Sequence, residues 1–174
     1  MALSETLAAM LSGGDLRSIG RSDAAVKLVL RQPRRFGELM ECLSSGDPVL
    51  RMRAADAAEK ISAEKPRLLD RHKAELLGLL ARAEQIELRW HLALMIPRLR
   101  LTAPERRRAR VALEGYLDDG SSIVKTFALE GLADLARSDV ALLPDVKQLL
   151  ENAVHRGTPA MRARARKLLA KLLD

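Results

Sequence analysis

Aromatic residues are nearly missing from this sequence: Phe36, Trp90, Tyr116 and Phe127 are the full set in 174 residues. A single-strand nucleic-acid platform stacks successive bases on several rings, so this chain is poorly supplied for it. Cysteine occurs once, at Cys42. That excludes an intramolecular disulfide and a cysteine zinc cluster, and it fits a reducing compartment. Leu39, Met40 and Leu43 beside it make the thiol a small core hydrophobe. No window approaches the roughly 18 apolar residues of a membrane span. The opening MALSETLAAML has neither the basic n-region nor the long apolar stretch of a signal peptide. The expectation is a cytoplasmic, monomeric protein without a membrane partner.

Catalytic patterns are missing as well. His72, His91 and His155 have no HExxH-type spacing, and no Walker, GxGxxG or Gly-x-Ser-x-Gly segment occurs. Gly13 and Gly14 read as a helix stop, and Glu84 with Glu87 as carboxylates at a helix start, where they meet the positive end of the dipole. We therefore expect no enzyme activity, no cofactor and no metal. Alternating apolar and polar runs of strand type are absent too, whereas Ala, Leu, Glu, Lys and Arg dominate, which makes the chain all-α.

Charge is abundant but uneven. The net +7 and pI of about 10.1 ask for an anionic partner. Yet residues 98–110 carry six bases and one acid, residues 111–154 three bases against eight acids, and residues 155–174 six bases and one acid. Two basic blocks flank an acidic segment, giving a dipolar surface.

A repeat organises the rest. PVLRMRAADAAEKI (48–61) aligns with IELRWHLALMIPRL (86–99), SIVKTFALEGLADL (122–135) and PAMRARARKLLAKL (159–172), at offsets of 38, 36 and 37. In each copy an apolar residue (Leu50, Leu88, Val124, Met161) precedes a base (Arg51, Arg89, Lys125, Arg162). A small or apolar residue follows three positions later, where it admits a neighbouring helix. Pro33, Pro66, Pro104 and Pro144 open the intervening helices, as proline can in a first turn. Asp47, Ser121 and Thr158 are expected N-caps of the second helices. Helix pairs of about 37 residues that bury their apolar faces against neighbours are the mark of an α-solenoid.

The second-helix pattern of apolar residue, base, two spacers and small or apolar residue resembles the HEAT-repeat family over residues 33–174. The resemblance implies an all-α superhelix of about five antiparallel helix pairs in one domain. Residues 1–32 form a degenerate capping pair, followed by repeats at 33–63, 66–101, 104–138 and 141–174. HEAT units often carry an acid six residues before the base, and Asp119 before Lys125 fits that pattern; Asp47 reads better as a cap. The resemblance also implies that the second helices line a concave binding face. Candidate interface residues there are Arg53, Asp56, Trp90, His91, Arg98, Phe127, Glu130, Arg164, Lys167 and Lys171. Trp90 has two readings, an interface anchor or a plug between repeats.

The first functional reading is a non-catalytic adaptor that binds an unidentified protein partner. The alternative is nucleic-acid backbone binding through blocks 98–110 and 156–171, with Arg106, Arg107, Arg108, Arg110, Arg162 and Arg164 as candidate phosphate contacts. The solvated outer face of a first helix is the first reading of the run Pro104 to Arg110, ahead of phosphate contact. HEAT-like DNA glycosylase chemistry is a remote third, because no residue set of that class is present.

Overall fold

The computed structural model describes residues 5–173, with side chains through Leu172. The described residues form ten α-helices and no strand. The part of the expected first helix at residues 2–4 lies outside them. The chain divides into two compact units, one ending at Lys73 and one beginning at Ala74.

The first unit holds α1 (Leu7–Leu11), α2 (Ser22–Arg31), α3 (Phe36–Cys42) and α4 (Pro48–Glu64). It is built around α4, which packs against the other three. Asp47 caps α4 by accepting from the Val49 N–H at 2.9 Å, and Pro48 occupies the first turn. Ala54, Ala55, Ala57, Ala58 and Ile61 of α4 are fully buried. Short side chains there let three helices approach one, so alanine rather than leucine fills the centre. Cys42 is buried in this core, and burial raises its thiol pKa, which leaves an unreactive hydrophobe.

The second unit holds α5 (Lys73–Arg82, from Ala74), α6 (Ile86–Met95), α7 (Ala103–Gly115), α8 (Ser122–Ser138), α9 (Leu143–Arg156) and α10 (Pro159–Leu173). Here α8 is central and touches α6, α7, α9 and α10. Gly131 of α8 is the point of closest approach to α6: a Cβ there would lie 2.5 Å from the Ala93 carbonyl oxygen. Pro104 lies in the first turn of α7, and Thr102 and Glu105 close a reciprocal capping box on it. Thr158 accepts from the Met161 N–H at 3.3 Å, as expected of a cap. Ser121 makes no side-chain cap; its own N–H is taken by Asp119 Oδ1 at 2.7 Å.

The residues three after each aligned base, Ala54, Leu92, Ala128 and Ala165, are all fully buried. Arg51 and Arg89 turn back to the loop before their own helix, each donating at 2.6 Å to the carbonyl six residues earlier, Ser45 and Ala83. Each guanidinium thereby satisfies a carbonyl of the connection between two helices.

Candidate functional site

On α6, α8 and α10 the spacing of residues sets three rows across the second unit. The first runs Trp90, Phe127, Arg164. The Trp90 and Phe127 rings stack with centroids 5.2 Å apart and 25° between planes, and the Arg164 guanidinium lies 5.1 Å above the Phe127 ring. All three are half-buried, so each ring keeps part of its surface open. Arg164 also donates to Glu130, one turn along α8. Stacking and cation–π contact together fix the guanidinium over the ring.

The third row sets Asp134 among the charges of Arg137, Lys171 and Arg98, the last in the 3-10 turn that follows α6. Burial raises the Asp134 carboxyl above its ordinary range, and those three cations oppose the rise without cancelling it. Between these rows stand Leu94, Glu130 and Lys167, with Lys167 and Lys171 exposed. The face therefore changes from aromatic to charged over two helical turns, a pattern suited to a partner with an apolar end and a polar end.

Behind it, Asp119 links neighbouring elements. Its carboxylate is 5% exposed and accepts from Arg89 of α6 and from the Ser121 N–H. Burial pushes this carboxyl up, but the Ser121 N–H and the Arg89 guanidinium outweigh burial and hold it below the usual carboxylate range. Arg89 lies 5.5 Å over the Tyr116 ring, whose hydroxyl donates to the Leu80 carbonyl at 2.7 Å. Burial raises that phenol to about 12.

Two sequence-predicted face residues are elsewhere. Arg53 is only 5% exposed. Its Nη1 donates to the carbonyls of Leu11 (3.0 Å) and Gly13 (2.5 Å), its Nε to Ser18 (3.0 Å) and its Nη2 to Asp15 (3.4 Å). The turn after α1 wraps it, so it holds the N-terminal loop rather than facing solvent. Gly14 and Gly20, with φ of +79° and +53°, pass so close that a Cβ on either would lie within 3 Å of the guanidinium. His91 is 1% exposed, with Nδ1 2.5 Å from the Glu87 carbonyl oxygen, an interior imidazole beside Trp90. Asp56 is half-buried and accepts from Ser22 (2.5 Å) and Lys60 (2.8 Å), tying α4 to α2.

The candidate phosphate contacts divide in the same way. Arg106 pairs with Asp139 and donates to the Leu101 carbonyl; Arg110 pairs with Glu114 and Asp145; Arg164 pairs with Glu130. These cations are neutralised in place and half-buried, while Arg162 is half-buried on α10. Arg107 and Arg108 are exposed and make no ion pair among the described residues. Sequence reasoning missed the Arg53 clamp and the Tyr116–Leu80 bond; the paired glycines on either side of residues 15–19 were the available signal for the first.

Among the described residues no group of three or more His, Cys, Asp and Glu side chains could hold a metal ion, and no helix is long and apolar enough to cross a membrane. Comparison with protein-family models and with curated proteins found no match to this chain.

Proposed function

We propose that this chain is a non-catalytic binding module, a HEAT-like α-solenoid that holds a protein partner on the face of its second helices. The observation that carries the reading is the half-buried Trp90–Phe127 stack under Arg164, bordered by charges of both signs. Large rigid rings that keep an open edge lose little entropy on docking and anchor interfaces. The solenoid part is supported by long-range bonds that repeat the sequence period: Lys60 to Asp23 is 37 residues, Tyr116 to Leu80 and Ser122 to Thr158 are 36. A cytoplasmic location and a monomeric state belong to the same proposal.

Immobilised wild-type protein, Trp90→Ala and Lys167→Glu/Lys171→Glu, each checked for helical content, would be offered a cell extract. A protein retained by the wild type and lost by both variants is the expected result. Retention indifferent to both would overturn the assignment of the face.

Nucleic-acid backbone binding is the second reading, favoured by the exposed bases Arg156, Arg166, Lys167 and Lys171. Fluorescence anisotropy with duplex DNA and single-stranded RNA separates the two. Binding that persists at physiological salt, with a steep log–log slope, transfers the face to nucleic acid.

A further inference from the structure

A groove of about 890 Å³ runs between α5 and α7, wholly within the second unit and away from the aromatic row. Small side chains recur along it, Ala74, Gly78 and Ala81 on α5 and Pro104 and Ala112 on α7, beside the larger Leu77 and Leu80. The small residues leave part of the space between the two helices unfilled, an open, mainly apolar gutter. Val111 stays 68% exposed along it. On each wall the spacing continues for seven or eight residues, about two helical turns or roughly 11 Å.

The charges beside this gutter differ from those elsewhere on α7. Arg106 and Arg110 are neutralised by Asp139, Glu114 and Asp145. Arg107 and Arg108, which line the gutter, have no acid partner among the described residues. The Arg82 guanidinium folds back over Gly78 of the floor, its Nη1 2.7 Å from the position of a Cβ there, and it too makes no ion pair among the described residues. The one acid lining the gutter, Glu105, is committed to the Thr102 backbone N–H at 2.7 Å in the capping box. A short apolar floor thus lies beside three guanidiniums and a single carboxylate.

We propose that this groove docks an acidic amphipathic helix of a partner protein, with leucine-sized side chains at i, i+3, i+4 and i+7 against the alanine walls and flanking carboxylates on Arg82, Arg107 and Arg108. A helix buries one stripe and leaves its other faces in water, which suits an open gutter. A small apolar ligand requires most of its surface enclosed, which this gutter does not provide. Phosphate backbones gain nothing from an alanine floor. The inference concerns different helices from the proposed second-helix face and holds whether or not that face binds anything.

The test is fluorescence anisotropy with a labelled synthetic helix carrying that leucine stripe flanked by glutamates, against a peptide of the same composition with the leucines scattered. Full-length protein is used, as wild type, Ala81→Glu and Arg107→Glu/Arg108→Glu; all three positions are exposed, so the fold tolerates them. The expected result is saturable binding of the striped peptide, weakened about tenfold by scattering the leucines and by each variant. Equal binding of both peptides, no saturation, or binding unaffected by Ala81→Glu would each overturn the proposal. A concentration-dependent dimer in sedimentation that Ala81→Glu dissolves would also overturn it, by giving the groove to a second copy of this chain. So would duplex DNA binding that Arg107→Glu/Arg108→Glu abolishes, without binding of the striped peptide.

Discussion

Replacing Arg53 with Met keeps the aliphatic stem and deletes the guanidinium that closes the N-terminal loop. Three of its four bonds are at 3.0 Å or less and one is long, at 3.4 Å. A hydrogen bond from a charged donor is worth about 1.5–3 kcal/mol net. The carbonyls of Gly13, Asp15 and Ser18 lie on an exposed loop and recover water when the guanidinium goes, which brings each nearer to about 1 kcal/mol. With about 1.5 kcal/mol for the bond to the buried Leu11 carbonyl, which finds no water, the sum is about 4 kcal/mol lost from the first unit. Arg53→Lys keeps the charge but supplies a point donor in place of a planar fork, so it recovers about half of that. Urea unfolding followed by far-ultraviolet circular dichroism measures the loss. Limited trypsin digestion at the exposed Arg17 and Arg21 then shows whether the loop opens first, with cleavage at least about tenfold faster in Arg53→Met. An unchanged urea midpoint together with unchanged cleavage would refute the clamp.

Glycine substitutions change sign with their surroundings. Gly131→Ala puts a methyl 2.5 Å from the Ala93 carbonyl and 3.2 Å from Leu113 Cδ1, and lowers stability by roughly 1–2 kcal/mol after the gain in helix propensity. Gly115→Ala, at the end of α7 with nothing within 4 Å, raises it by about 0.5–1 kcal/mol; thermal melts of the two variants should shift in opposite directions. Acidification tests Asp119. Its folded-state pKa is depressed, so its stabilisation is complete above the ordinary aspartate value and fades as pH falls through the lower folded value. Asp119→Asn should flatten that acid-side loss in urea midpoints measured across pH, and an unchanged slope would count against the Arg89 pair.

Helices and their punctuation were legible because they depend on near neighbours in sequence. Pro48 and Pro104 in first turns, Asp47 and Thr158 as caps, and the buried small residues after each base needed only local spacing. The exposure of side chains on the second helices was less legible, because it depends on what lies opposite. Arg53, His91, Phe127 and Arg164 occupy one register of the repeat, yet the first two are buried and the last two half-open. A loop of the degenerate N-terminal segment covers Arg53, and no helical period encodes a loop's path. Ser121 stands at the N-cap position of α8 as expected, but its side chain makes no capping bond, and the local sequence does not say which rotamer a serine takes. The groove between α5 and α7 went unseen because alanines on two separate helices look like ordinary helix formers until they face each other.

The scarcity of aromatic side chains makes the molecule its own spectroscopic instrument. Trp90 and Tyr116 both belong to the unit that begins at Ala74, and the other unit contains phenylalanine alone. Tryptophan emission therefore follows one half of the chain, while helical ellipticity sums both. Comparing the two signals through a single denaturation resolves whether the halves melt together, with no label attached. The same indole, half-buried and stacked on Phe127, is a native optical reporter for anything that settles on the aromatic row.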